Sequence, residues 1–241
     1  MNIIILQHIA VETPGVFLDF FREDGFRWTT VQLDEGQTVP ELDPFDLMVV
    51  MGGPQDVWQE DQYPWFREEK AVIRKFVIEM RRPYLGFCLG HQLLADATGG
   101  TVGLAKSPEV GVLTVSSTEA GRRDRVLRDL PDPMTVLQWH GAEVTGLPGD
   151  AEVLAESDVC GIQACRVGKH AYGFQCHVEI TDETVRQWAV IPEYASSLES
   201  ALGKGAVAQL QAEVSQRLPQ FNKDAHTLYE GFKAAIKGQR G

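Results

Sequence analysis

Arg82-Pro83-Tyr84-Leu85-Gly86-Phe87-Cys88-Leu89-Gly90-His91-Gln92 is the stretch around which the 241-residue chain is organised. An extended approach ends in a cysteine with glycine at both second-neighbour positions, and a helix-compatible run, His91 to Thr98, follows at once. G-x-nucleophile-x-G between a strand and a helix is the pattern of a sharp elbow that holds its central residue in a strained backbone conformation. A side chain at either glycine would crowd the strand against the helix. The Cys88 thiol then stands at a helix N-terminus, where the macrodipole and unpaired N–H groups favour negative charge. The N–H of Leu89 is placed to meet a developing oxyanion. A lone cysteine also fits a small core residue, so the elbow reads as reactive only if a base and a second oxyanion donor exist elsewhere.

Working outward, Asn2 to Gln7 and Asp46 to Met51 are short apolar runs of the kind found in fully buried parallel strands. Phe26 to Leu33 reads as another strand. Pro14 opens an expected helix through Glu23, with Val16, Phe17, Phe20 and Phe21 on one face. A longer helix begins at Pro64, where Ile73, Phe76, Val77 and Met80 form one stripe, and ends at Arg81-Arg82-Pro83. Alternating strands and helices of this kind predict an α/β fold, an open sheet with mostly parallel strands flanked by helices.

From Thr101 the texture changes. Short candidate strands at Val102, Val110 to Ser116, Thr135 to Gln138, Glu152 to Ala155, Gly161 to Val167 and Ala171 to Cys176 alternate with turn-rich pieces, which predicts antiparallel hairpins added to the sheet. After Glu179 the chain reads as helical. Val207, Leu210, Val214 and Leu218 share one face, as do Leu228, Phe232 and Ile236, with a break at Gly203 and Gly205. The expected organisation is a main domain over residues 1–180 and a helical appendage over 181–241 packed on it.

Composition narrows the classes. The chain is 44% hydrophobic and 23% charged, with a formal net charge of -12. An acidic surface repels phosphate backbones, so nucleic acid is not an expected partner. The apolar run at Ile3 to Leu6 is too short for a signal segment, and no run approaches a membrane span. The four cysteines, Cys88, Cys160, Cys165 and Cys176, match no zinc spacing and no disulfide framework. Reduced thiols and a cytoplasmic location are expected.

A nucleophilic cysteine needs a base, and the base an orienting acceptor. Gln175-Cys176-His177-Val178-Glu179 follows a candidate strand, and in extended chain positions two apart face the same way, so His177 and Glu179 pair. Alone, they equally fit a polar strand end. Met51-Gly52-Gly53-Pro54 ends another buried strand, at the edge where open α/β sheets carry their sites. Its glycines allow an N–H to approach a substrate closely, although a plain Gly-Pro turn has the same appearance. His91 is close to Cys88 but leans along the helix and has no carboxylate partner in sequence. His140, in Gln138-Trp139-His140-Gly141, is a candidate pocket residue. His8, His170 and His226 read as surface or structural.

Taken together, Gly-Phe-Cys-Leu-Gly-His-Gln, the upstream Met-Gly-Gly-Pro and the downstream Gly-Phe-Gln-Cys-His-Val-Glu resemble class I, triad-type glutamine amidotransferases. The likeness is to stand-alone proteins similar to the amidotransferase domain of GMP synthase. It spans roughly residues 1–180 and is supported by Ser107-Pro108-Glu109-Val110-Gly111 and Gln138-Trp139-His140-Gly141. The resemblance implies a flavodoxin-like sheet, Cys88 as nucleophile, His177 as general base and acid, and Glu179 as its orienter. It implies an oxyanion hole from the N–H groups of Gly53 and Leu89, and substrate contacts from Gly52, Gln92, Gln138 and His140. The implied reaction hydrolyses the glutamine side-chain amide and needs no metal or organic cofactor. Ammonia then passes to a partner synthase in trans, since no Gly-x-x-x-x-Gly-Lys-[Ser/Thr] loop occurs, or is released. The same triad also suits a γ-glutamyl peptidase or hydrolase, and a non-catalytic regulatory or binding role is the third alternative. Three positions depart from the family pattern. Cys176 and Val178 replace Phe and Pro around His177, and Ala142 stands where relatives often carry Asp.

Overall fold

The computed structural model describes residues 1–237. A nine-stranded sheet carries the structure. Its parallel half is β1 (Asn2–Gln7), β2 (Arg27–Gln32), β3 (Leu47–Val50) and β4 (Tyr84–Phe87), joined by β9 (Ala171–Phe174) from far along the chain. Its antiparallel half is β5 (Thr101–Ser117), β6 (Met134–Gly146), β7 (Ala151–Glu156) and β8 (Ala164–Val167). The strand order is β2-β1-β3-β4-β9-β8-β7-β5-β6.

The central strands are apolar at every position because both faces are covered. Ile3, Ile5, Leu47, Val49, Leu85 and Phe87 point to one face. There they meet Phe17, Phe20 and Phe21 of α1 (Phe17–Glu23), and Leu228, Tyr229, Phe232 and Ile236 of α7 (Ala206–Lys237). Ile4, Leu6, Met48, Val50 and Tyr84 point to the other. They meet Phe66, Ile73, Phe76 and Val77 of α2 (Trp65–Arg74) and the π-helical turn Lys75–Glu79 that extends it, and Leu93 and Leu94 of α3 (Leu89–Thr98). A third cluster gathers Trp188 of α5 (Thr184–Trp188), Tyr194 and Leu198 of α6 (Pro192–Leu202), and Leu210, Val214 and Phe221 of α7 over Leu137 and Trp139 of β6. The two apolar stripes of α7 thus pack on the body, with Val207 and Leu218 half-buried, and Gly203 and Gly205, both with positive φ, separate α6 from α7.

Three local expectations are corrected. The helix expected from Pro14 starts at Phe17, because Gly15 takes φ +51° and the N–H of Val16 turns to the carbonyl of Glu179 at 2.8 Å. The short strands expected from Val102 to Gln138 are instead two long ones, β5 and β6, paired from Thr101↔Gly146 to Val115↔Met134. A register shift between Leu104 and Glu109 absorbs Ser107-Pro108, whose missing N–H interrupts the ladder and whose composition imitates a turn. A short helix, α4 (Glu119–Arg123), capped by the Thr118 side chain, was not expected from the pattern.

Candidate active site

Cys88 sits between β4 and α3 with φ +50° and ψ −105°, one of two non-glycine residues with positive φ among the described residues. Such a conformation is strained for an L-residue and is kept only where the surroundings enforce it. Here the N–H of Cys88 donates to the carbonyl of Phe174 on β9, and its carbonyl accepts from Gln92. Both glycines of the elbow are required by contact. A Cβ on Gly86 would lie 2.6 Å from the Gly90 backbone, and one on Gly90 would lie 2.1 Å from the Val50 carbonyl oxygen. The helix therefore seats directly on β3 and β4. Cys88 is 7% exposed. The other three cysteines are also free and buried. Burial pushes the Cys176 thiol up, and pushes Cys160 and Cys165 to about 12.

The turn after β9 brings His177 and Glu179 to the same rim. The backbone of His177 bridges to Leu137 of β6 in both directions, and the carbonyl of Glu179 is held by Val16. His177 Nδ1 donates to Glu179 Oε1 at 2.6 Å, while Glu179 Oε2 accepts from the N–H of Val178 at 2.9 Å. Cys88 also favours the protonated ring. Burial disfavours the imidazolium, but the charge of Glu179, its hydrogen bond and Cys88 outweigh it and raise the His177 pKa well above its usual value. Val178 supplies the N–H that Glu179 Oε2 accepts, a donor that a proline there would lack.

Gly52 and Gly53 follow β3 beside the elbow. A Cβ on Gly53 would lie 3.0 Å from Leu89 Cδ2, so the Gly53 turn and the first residue of α3 abut. First-turn N–H groups of a helix have no intrahelical acceptor and remain available. The turn is fixed by His8, which is buried and structural. Its Nδ1 hydrogen-bonds the Gly52 carbonyl at 3.0 Å, and its Nε2 pairs with Glu69 at 3.0 Å. Desolvation opposes protonation of His8, but Glu69 and the Gly52 carbonyl raise its pKa overall.

The expected substrate contacts are arranged differently from one another. Gln92 Nε2 donates to the Ala142 carbonyl and to Gln175 Oε1, each at 3.1 Å. Gln175 in turn directs Nε2 at Cys88 Sγ, 3.6 Å away. Gln138 and His140 instead belong to a buried network behind this layer. Gln138 donates to Gln163 at 2.8 Å, and Gln163 to Glu109 at 2.6 Å. His140 Nε2 pairs with Glu109 at 3.1 Å. Ala142 meets Gln92 through its carbonyl, so the residue that replaces Asp there acts through its backbone. His91 does not lean along an open surface. It is buried against Gly173 with Nδ1 3.6 Å from Cys165 Sγ, and burial lowers its pKa to about 3.

Three residues reach this rim without any local signal in the sequence, Glu12, Trp188 and Tyr194, and Gln175, part of the His177 motif, joins them as an unassigned neighbour of Cys88. The Trp188 ring stands edge-on to His177 with centroids 4.6 Å apart, and Tyr194 packs on Trp188. The Tyr194 hydroxyl donates to Glu12 Oε1 at 2.6 Å. Glu12, His177 and Glu179 offer donor atoms within 4.8 Å of one another, which is the spacing of a metal-binding group. Two of the three are already bonded to each other, an arrangement suited to holding a proton on the imidazole.

A thiol on a strained backbone at a helix N-terminus, an imidazole bonded to a carboxylate and a glycine turn abutting the helix are the kinds of group that acyl transfer uses. The family model described as glutamine amidotransferase class-I matches residues 17–188. The chain is 34% identical over 219 residues to the glutamine amidotransferase-like protein YfeJ of Salmonella typhimurium, covering 88% of this chain and 90% of that one. It is 27% identical to γ-glutamyl peptidase 3 of Arabidopsis thaliana, over 78% of this chain and 80% of the relative. It is 33% identical to one component of the glutamine-hydrolysing GMP synthase of Sulfolobus acidocaldarius, over 62% of this chain and 76% of the relative. A crystal structure of a glutamine amidotransferase from Thermotoga maritima superposes with a TM-score of 0.85 at 26% identity, covering 96% of this chain and 97% of that one. With its mostly parallel sheet, flanking helices and helical C-terminal region, the chain belongs to the class I glutamine amidotransferase family.

Proposed function

We propose that this protein cleaves the side-chain amide of glutamine or of a γ-glutamyl compound through a covalent γ-glutamyl thioester on Cys88. The Cys88 thiolate attacks the amide carbon, forming the C–S bond, and the N–H groups of Gly53 and Leu89 hold the oxyanion. Protonated His177 gives its proton to the departing nitrogen as the C–N bond breaks, releasing ammonia or an amine. Neutral His177 then takes a proton from water, whose oxygen attacks the thioester and frees glutamate and the thiol. Glu179 keeps Nδ1–H pointing away, so that Nε2 faces the sulfur. The observation that carries the reading is the 2.6 Å Nδ1–Oε1 hydrogen bond between His177 and Glu179, together with the strained backbone that presents Cys88 at the N-terminus of α3.

Two leaving groups compete. Likeness to amidotransferases supports ammonia, delivered to a partner synthase or released. Likeness to a γ-glutamyl peptidase over 78% of the chain supports an amine from a γ-glutamyl peptide. Incubation with glutamine and with γ-glutamyl dipeptides, following ammonia, glutamate and free amino acid, separates them, with Cys88→Ala as the control. Turnover of either substrate that survives in Cys88→Ala would defeat the thioester route.

A further inference from the structure

Glu12 takes no part in the reaction as written, yet it lies beside His177 and Glu179. It follows β1 in a turn closed by its own N–H to the Ile9 carbonyl, and it is 1% exposed. One carboxylate oxygen, Oε1, accepts from Tyr194. The other, Oε2, has no hydrogen-bond donor among the described residues. That oxygen is aimed at the Gly52-Gly53 turn, since a Cβ on Gly52 would lie 2.8 Å from it. A buried carboxylate oxygen without a donor is costly, and natural proteins almost always supply one. A carboxylate oxygen of Glu12 also lies within 4.8 Å of His177 and Glu179, so the unpartnered Oε2 belongs to a carboxylate set between the proposed oxyanion turn and the acid–base pair.

The charge of a matching donor follows from chemistry. A γ-glutamyl substrate carries an α-ammonium and an α-carboxylate remote from the reacting amide. A carboxylate facing them repels one and attracts the other. Standard bond lengths put the α-nitrogen about 5 Å from the amide carbon in an extended side chain, so the group that receives it lies about one side chain away from the reacting sulfur. Resting on the proposed function, we propose that Glu12 is the specificity-determining carboxylate of the site: Oε2 accepts a hydrogen bond from the α-ammonium of the γ-glutamyl group, while Tyr194 holds Oε1 in place. The residue that orients Glu12 comes from α6, so the C-terminal helices take part in substrate recognition. Substrates with a free α-amino group are accepted, and glutamine acylated on that nitrogen, or lying inside a peptide chain, is rejected.

Protonation supports the geometry. Burial, partly offset by His177 and the Tyr194 hydroxyl, pushes the Glu12 carboxyl up to about 7. Glu179 raises it further and His8 lowers it. An arriving ammonium draws the group toward its ionised form, so binding near neutral pH releases a proton.

The test uses the full chain with Cys88→Ala and titration calorimetry against glutamine and against glutaramate, which is glutamine without its α-amino group. Glutamine is expected to bind, with glutaramate weaker by roughly 10- to 100-fold, the range for loss of a charge-assisted hydrogen bond. Adding Glu12→Gln should weaken glutamine by a similar factor and leave glutaramate unchanged. Tyr194→Phe should act in the same direction, less strongly, and serves if Glu12→Gln does not fold. Equal weakening of both ligands, or of neither, overturns the assignment and leaves Glu12 as a support for its loop. In the otherwise native enzyme the same pattern should appear in KM rather than kcat. Turnover of glutamine with no such pattern defeats the inference alone, whereas absence of any γ-glutamyl turnover removes the proposed function and the inference with it.

Discussion

Glu179→Gln tests the proposed chemistry most directly, because it changes a charge and almost no volume. In the native site Oε2 accepts from Val178 N–H at 2.9 Å and Oε1 accepts from His177 Nδ1 at 2.6 Å. A glutamine keeps one acceptor. If its oxygen stays with Val178, its NH₂ faces Nδ1 and demands the tautomer with the proton on Nε2, the nitrogen toward Cys88. If its oxygen turns to Nδ1, the Val178 N–H is left buried without a partner. Either way the imidazolium loses a charge-assisted hydrogen bond of about 1.5–3 kcal/mol, a factor of roughly 10 to 100 in rate, and the tautomer error multiplies that loss. Because Glu179 raises the His177 pKa, its neutral replacement lowers it. The imidazolium needed for nitrogen departure then disappears at lower pH, and the alkaline limb of the kcat profile moves toward acid. The assay is ammonia or amine release across a pH series, with thermal unfolding to show that the fold survives. Native kcat at neutral pH, or a reduced kcat with an unmoved alkaline limb, would refute the reasoning.

Other outcomes follow from the elbow and the turn that faces it. Gly90→Ala should lower stability by about 1–3 kcal/mol or more in denaturant unfolding, despite alanine's higher helix propensity, because its Cβ would lie 2.1 Å from the Val50 oxygen; a stabilised variant would contradict the close approach. Cys88→Gly should be more stable than Cys88→Ala by roughly 1–2 kcal/mol, since glycine adopts φ +50° without the steric penalty, and both should lack turnover; equal stabilities would mean that no strain is stored at the elbow. For His8 the folded pKa is raised, so its contribution is fully present below the unfolded value and is lost as pH rises through the folded one. In Glu69→Gln burial dominates and holds His8 neutral, so that variant should instead lose stability as pH falls through the unfolded value of about 6.5. Unfolding free energies of the two proteins against pH should therefore slope in opposite senses.

Local chemistry was legible in the residues because it is local. The strand-to-helix turn at Cys88 is written in two glycines that neighbouring backbone atoms would otherwise occupy, and the buried strands in β-branched runs. The pairing of His177 with Glu179 follows from their two-residue spacing in extended chain. The β5–β6 hairpin was not legible, since Pro108 imitates a turn where the structure has a register shift. His8 reads as surface or structural, but its partners Gly52 and Glu69 were not legible, because other elements supply them.

The sequence by itself determined the elbow, the central parallel strands, the C-terminal helices and the family, because each rests on periodicity or on steric demands among near neighbours. Only the tertiary structure decided that β9 returns beside β4, so that the N–H of Cys88 is tied to Phe174. It alone brought Glu12, Trp188 and Tyr194 to the same rim. Burial and pairing between residues as far apart as Glu12 and Tyr194, 182 positions along the chain, depend on how whole elements pack, and no short window of residues encodes that.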